Sequence, residues 1–176
     1  MADINRQLHD LEWGVQRSIR YHHRRSRFFD RLHTISTFIA VLAGTATFAT
    51  VLADMGRGYI LTSAVIVAVF SVLDLVIGCP QSARLHADLA RKYFELQKKI
   101  NEVRNPTQED VTDLVNARLD IEKDEPPVLK ALDSICHNEL LRARGDDSKN
   151  YVHIAWHKRL LANIIDVGEH NIRPTA

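Results

Sequence analysis

Cysteine is almost absent: Cys79 and Cys136 are the only two in 176 residues, far apart and in no CxxC pair. That spacing argues against a disulfide framework and a structural zinc site, and the expectation is two reduced thiols facing a cytosol, one at a membrane boundary and one in a helix. Glycine and proline are also few, seven and five. No Pro, Gly or Ser-rich linker separates two cores, so residues 1–176 read as one domain. Net charge is lacking too: at +1 the chain as a whole has no special attraction for nucleic acid, and none is expected as a partner. The N-terminal segment carries acidic and basic groups throughout and no apolar h-region, so no signal peptide is expected.

Catalytic signatures are missing as well. There is no phosphate-binding glycine loop, nucleophile elbow or HExxH motif, so neither an enzymatic activity nor a cofactor is expected. Among nine histidines, His153 and His157 are the best-spaced pair for a metal. No Cys or carboxylate stands beside them at matching spacing, so they read as two histidines on a solvated helix face, and no metal is expected. Sustained alternation of polar and apolar residues is absent, which leaves an all-α protein.

What the sequence does have is two long apolar runs. Ile35 to Ala53 is nineteen residues without an ionisable group, and Tyr59 to Cys79 is twenty-one with one, Asp74. As helices these measure about 28 and 32 Å, the thickness of a hydrocarbon core. Neither has the polar face of a helix in a soluble core. The expectation is a transmembrane hairpin, helix 1 over 35–53 and helix 2 over 59–79, turned by the sequence DMGRG. Arg17, Arg20, Arg24, Arg25, Arg27 and Arg31 precede it, and Arg84, Arg91, Lys92, Lys98 and Lys99 follow it, against Arg57 alone in the turn. This bias puts both termini in the cytoplasm. Ala40 and Gly44, Ala43 and Thr47, and Ala46 and Thr50 repeat a small-xxx-small spacing that admits a close helix neighbour, from the same chain or another subunit.

Long cytoplasmic helical extensions flank the hairpin. Leu8, Leu11, Val15 and Ile19 mark an amphipathic helix over 4–32, uninterrupted from Arg17 into the bilayer. Residues 81–170 read as further helices. Leu85, Leu89, Leu96, Ile100 and Val103 form a stripe ending before Pro106. Thr107 with Asp110 then makes a capping box for a helix ending near Glu125. The next helix carries Leu132 and Ile135 and stops at Gly145; the last carries Tyr151, Ile154, Trp156, Leu160, Leu161, Ile164 and Ile165.

Two stretches are candidate sites. The arginine-rich entry, with Arg20, Arg24, Arg25, Arg27 and Arg31, reads as a topology signal that attracts anionic lipid, or as a binder for the phosphates of a nucleotide or another anion. Asp74 lies about five residues, roughly 7 Å, from the cytoplasmic end of helix 2. At similar depth helix 1 offers Ser36 and Thr37, with His33 and Arg31 below. Two readings stand: a hydrogen bond or ion pair that locks the hairpin, or a ring of carboxylates near a pore mouth in a symmetric oligomer.

SIRYHHRRSRFFDRLH before the hairpin and VLDLVIGCPQSARLHADLARKYFELQKKI at its exit resemble the SLATT group of small bacterial two-transmembrane proteins of prophages and other mobile elements. The resemblance runs from about Leu11 to Ile100, with Trp13, Tyr21, His22, Phe28, Phe29, Asp74, Arg84, Leu85, His86 and Tyr93 as its recognisable positions. It implies an effector in the bacterial inner membrane that homo-oligomerises into a pore, in phage defence or a similar conflict system. It also implies a cytosolic partner that makes or senses a nucleotide. The alternative of a different class is a non-conducting membrane scaffold whose helices dock that partner.

Overall fold

The structure, a computed structural model, describes residues 2–164 and 166, and every regular element among them is helical. α1 is Ala2–Ala43, α2 Ala46–Met55, α3 Arg57–Ile77, α4 Cys79–Glu102, α5 Gln108–Glu122, α6 Lys130–Arg144 and α7 Trp156–Leu161, with a short 3₁₀ turn at Ser148–Asn150. The chain divides into two compact units, one made of Met1–Arg25 with His86–Ala176, the other of Ser26–Leu85.

In the first unit the periodic apolar residues meet as a core. Leu11, Val15 and Ile19 of α1 pack with Leu89, Tyr93, Leu96 and Ile100 of α4 and with Leu114 and Ile121 of α5. Removing each such side chain from water contributes about 1.5–3 kcal/mol, enough to hold helices whose outer faces are charged. A second cluster sets Tyr21 against Ala131, Leu132, Ile135 and Cys136 of α6 and Ala162. α5 begins with both bonds of the capping box: the Asp110 N–H donates to Thr107 Oγ1 at 3.2 Å, and the Thr107 N–H donates to Asp110 Oδ2 at 2.9 Å. It ends at Glu122, short of Glu125, which lies in the turn before Pro126.

The second unit has its core at one end only. Phe29, Cys79 and Ala83 are buried together beside Phe28 and Leu32. Beyond them α3 has no buried residue, and large apolar side chains such as Phe38, Leu61, Val65, Val69 and Leu75 stand exposed. α3 is one helix long and apolar enough to cross a membrane.

Two expectations need correction. The helix expected over 35–53 is broken after Ala43: Thr45 is extended at φ −80° and accepts the Phe48 N–H, so the chain restarts as α2 instead of crossing in one piece. The Thr45 hydroxyl also donates to the Leu42 carbonyl at 2.9 Å. Gly44, poor at holding a helix, and Thr, which bonds its neighbouring backbone, together let the break form. The side chains of Ala46 and Thr47, part of the small-residue pattern, lie outside the described residues. The last helix is also shorter than expected. Asn138 of α6 donates to the Val152 carbonyl at 2.7 Å and accepts the Val152 N–H at 2.8 Å. Those two bonds occupy backbone groups that a helix through Tyr151 would need, so α7 starts only at Trp156. Ile165 and the stretch up to 170 lie outside the described residues.

Candidate functional site

Asp74 is near the C-terminal end of α3, beside the last quarter of α1. Its Oδ2 lies 2.8 Å from His33 Nδ1, and three residues along α1 the Ser36 hydroxyl donates to the Phe70 carbonyl at 3.2 Å. Both bonds tie α1 to α3 where the surrounding side chains are apolar. Ser36 is buried, while Thr37 and Ser71 are exposed. Ser36, Thr37, Ala40, Val41, Ser71, Asp74 and Leu75 line an open groove of about 590 Å³. A second groove, lined by Ala43, Phe48, Ala49, Ile60, Ser63, Ala64, Val67 and Ala68, is almost wholly apolar. Of the two grooves, the one at the Asp74 end is therefore the more polar.

A second constellation is buried in the other unit and gathers four of the singled-out positions. Tyr21 and His22 come from α1, His86 and Tyr93 from α4, and Glu125 from the turn after α5. His22 and His86 are 1% and 2% exposed. Their Nδ1 atoms are 2.9 Å apart, and His22 Nε2 lies 3.0 Å from Glu125 Oε1. Two nitrogens at that distance need one proton between them. Because the Glu125 carboxylate accepts a hydrogen bond from His22 Nε2–H, His22 Nδ1 either accepts from His86 or, in the imidazolium, donates to it. The Tyr93 ring stacks on His22 at 5.7 Å, and the Tyr21 hydroxyl accepts the Leu129 N–H at 3.0 Å.

Burial sets the protonation of this cluster. Desolvation, with the nearby Arg25 guanidinium adding to it, pushes His86 down to about 4. Burial and the Glu125 carboxylate raise the Tyr93 phenol. Burial would raise Glu125, yet its bond to His22 and the neighbouring Tyr93 phenol hold it below the usual carboxylate range. Cys136, on the buried face of α6, is pushed up to about 12 by desolvation, the opposite of a reactive thiol.

The arginines expected to act together are divided. Arg24 forms a fork onto Glu139 of α6, Nε to Oε2 at 3.1 Å and Nη2 to Oε1. Arg25 donates to the Asn163 carbonyl at 2.5 Å, and Arg17 pairs with Asp133 at 3.2 Å. Arg20 reaches the Gln16 carbonyl in its own helix at 3.5 Å. Arg27, Arg31 and Arg84 are exposed. Trp13 carries the Arg144 guanidinium 4.8 Å from its ring, and Phe28 and Phe29 meet edge to face at 5.5 Å. His153 and His157 are exposed and do not share a helix. No group of three metal-ligating side chains occurs among the described residues.

Glu125 and Glu139 were not singled out in the sequence. Neither sits in a motif, and a carboxylate before Pro126-Pro127 has the look of a solvated turn residue. Comparison with known proteins finds no match among family models, curated proteins or solved structures.

Proposed function

We propose that this chain is a multi-pass inner-membrane protein that homo-oligomerises into an ion-conducting or pore-forming effector, with both termini cytoplasmic. The observation that carries this reading is the open groove of Ser36, Thr37, Ser71 and Asp74, set beside a helix, α3, whose exposed large side chains are mostly apolar. Repeated around a symmetry axis, it would set a ring of carboxylates at a pore mouth, which draws cations. Supporting it are the length of α3 and the resemblance of the entry and exit segments to SLATT proteins. The test is current through planar bilayers holding wild type or Asp74→Asn. The wild type is expected to conduct, and the variant to lose cation preference while its oligomer survives.

A second reading is favoured by one feature of the same unit, the bonding of several of its polar groups inside the chain, although Asp74 Oδ1 is buried without a partner among the described residues. Asp74 is held by His33 and Ser36 by the Phe70 carbonyl, while Thr62 and Ser63 donate to the carbonyls of Gly58 and Ile60 in their own helix. A non-conducting scaffold needs no more, and its helices would dock a cytosolic nucleotide-signalling or sensor protein. On this reading a folded oligomer passes no current under voltage or with lysate added, and Asp74→Asn loosens the hairpin without altering any conductance.

A further inference from the structure

The segment from Asn138 to Ile164 contains a feature that neither reading uses. By holding Val152 through both backbone bonds, Asn138 keeps Tyr151 to Ala155 out of a helix. The result is a pocket of about 330 Å³ whose polar lining is Asn138, Arg142, Tyr151, His153 and Arg159, with no carboxylate. The Arg142 guanidinium sits 5.3 Å from the Tyr151 ring centroid, which fixes its charge at the pocket. Next to these cations α7 presents apolar side chains to solvent: Trp156 is 74% exposed, Leu160 70%, and Ile164, in the turn that follows, 62%. Trp156 and Leu160 are one helical turn apart and share a face, with His157 and Arg159 on its two sides.

We infer that this surface docks on the bilayer, the pocket of Arg142, His153 and Arg159 taking the phosphate of an anionic lipid headgroup while Trp156 and Leu160 enter the acyl boundary. Rows of exposed tryptophan and leucine flanked by cations match a membrane interface, whose interior is apolar and whose surface is negative. A pocket lined by cations and lacking a carboxylate complements a phosphate, and Arg supplies its planar fork. The inference rests on the membrane reading, because the lipid must already be at hand.

The test uses the full chain in nanodiscs of phosphatidylcholine, with or without phosphatidylglycerol, and with brominated acyl chains as quencher. Trp13→Phe leaves Trp156 as the sole tryptophan. Its emission is expected to shift to the blue and to be quenched by the brominated chains, more strongly when phosphatidylglycerol is present. Arg142→Gln with Arg159→Gln should abolish that dependence on anionic lipid, and Leu160→Ser should reduce the quenching in both lipids. A reporter chain with Trp13→Phe, Trp156→Phe and Val69→Trp monitors α3. Quenching at position 69 without quenching of Trp156 overturns the inference and leaves the membrane reading standing, while quenching at neither position overturns both. Shielding of Trp156 from a water-soluble quencher in lipid-free detergent that is lost when the oligomer is dissociated to monomers in the same detergent makes the face an oligomer contact and overturns the inference. Reversal of the lipid quenching by inorganic phosphate makes the pocket a soluble-anion site, which also overturns it.

Discussion

His22 and His86 share a proton across 2.9 Å with a carboxylate on the far side of His22, so the cluster tolerates added protons poorly. In the unfolded chain His86 takes up a proton near the ordinary 6.5, whereas in the fold burial delays this to about 4. Between those values the unfolded state binds more protons, so stability is full above about pH 6.5 and falls as the pH drops toward 4. Glu125, held low by His22, adds a loss of the same sign below its ordinary range. Urea unfolding of the purified chain should weaken by on the order of 2 kcal/mol across that window. His86→Gln should flatten the dependence. The Tyr21 hydroxyl accepts one backbone bond: Tyr21→Phe leaves the Leu129 N–H without its acceptor, at a cost of about 1–3 kcal/mol in the same assay.

The helix ends are stabilised by their own caps. Thr107→Ala removes one half of the α5 capping box and should destabilise the fold by about 1 kcal/mol, whereas Thr107→Ser should be nearly silent. α6 ends at Gly145, whose φ of +79° is in the left-handed region. Gly145→Ala meets no atom within 4 Å, so its cost is backbone strain alone, about 1–2 kcal/mol by thermal or urea unfolding. In α3 the measure is insertion. Val69 is exposed near the middle of the 21-residue helix, and Val69→Lys should raise the cost of insertion by about 2.5–3.5 kcal/mol, read as a smaller fraction resisting carbonate extraction.

Across the whole molecule the two units differ in how they are held. Met1–Arg25 with His86–Ala176 has three-helix apolar packing and ion pairs between elements, such as Arg24 with Glu139 and Arg17 with Asp133. Ser26–Leu85 has a small core at one end and an apolar surface elsewhere, the arrangement expected where lipid replaces protein as the packing partner. Detergent removal should therefore drive association through Ser26–Leu85. Light scattering on dilution below the critical micelle concentration checks this, and Val69→Lys together with Val65→Lys should reduce it.

Much of this was determined by the sequence alone. The 3.6-residue period at Leu11, Val15 and Ile19, and again at Leu89, Leu96 and Ile100, depends on which side chains avoid water, and such a pattern is written locally. The capping box at Thr107 and the stop at Gly145 are equally local, since each needs only its own backbone geometry. The polar focus at Asp74, with Ser36 and His33 opposite, followed from counting rises along two antiparallel helices. Only the tertiary structure decided the rest. His22, His86 and Glu125 are far apart in the chain and meet because three segments pack, so no spacing could announce their shared proton. The arginine cluster looked like one charged patch, yet helical rotation gives Arg17, Arg24 and Arg25 to packing contacts and leaves Arg27 and Arg31 exposed. The break after Ala43 and the late start of α7 both turn on side chains bonding the backbone, Thr45 within its own segment and Asn138 from another helix. Periodicity records which side chains are apolar, and it does not record whether a backbone group is already bonded elsewhere.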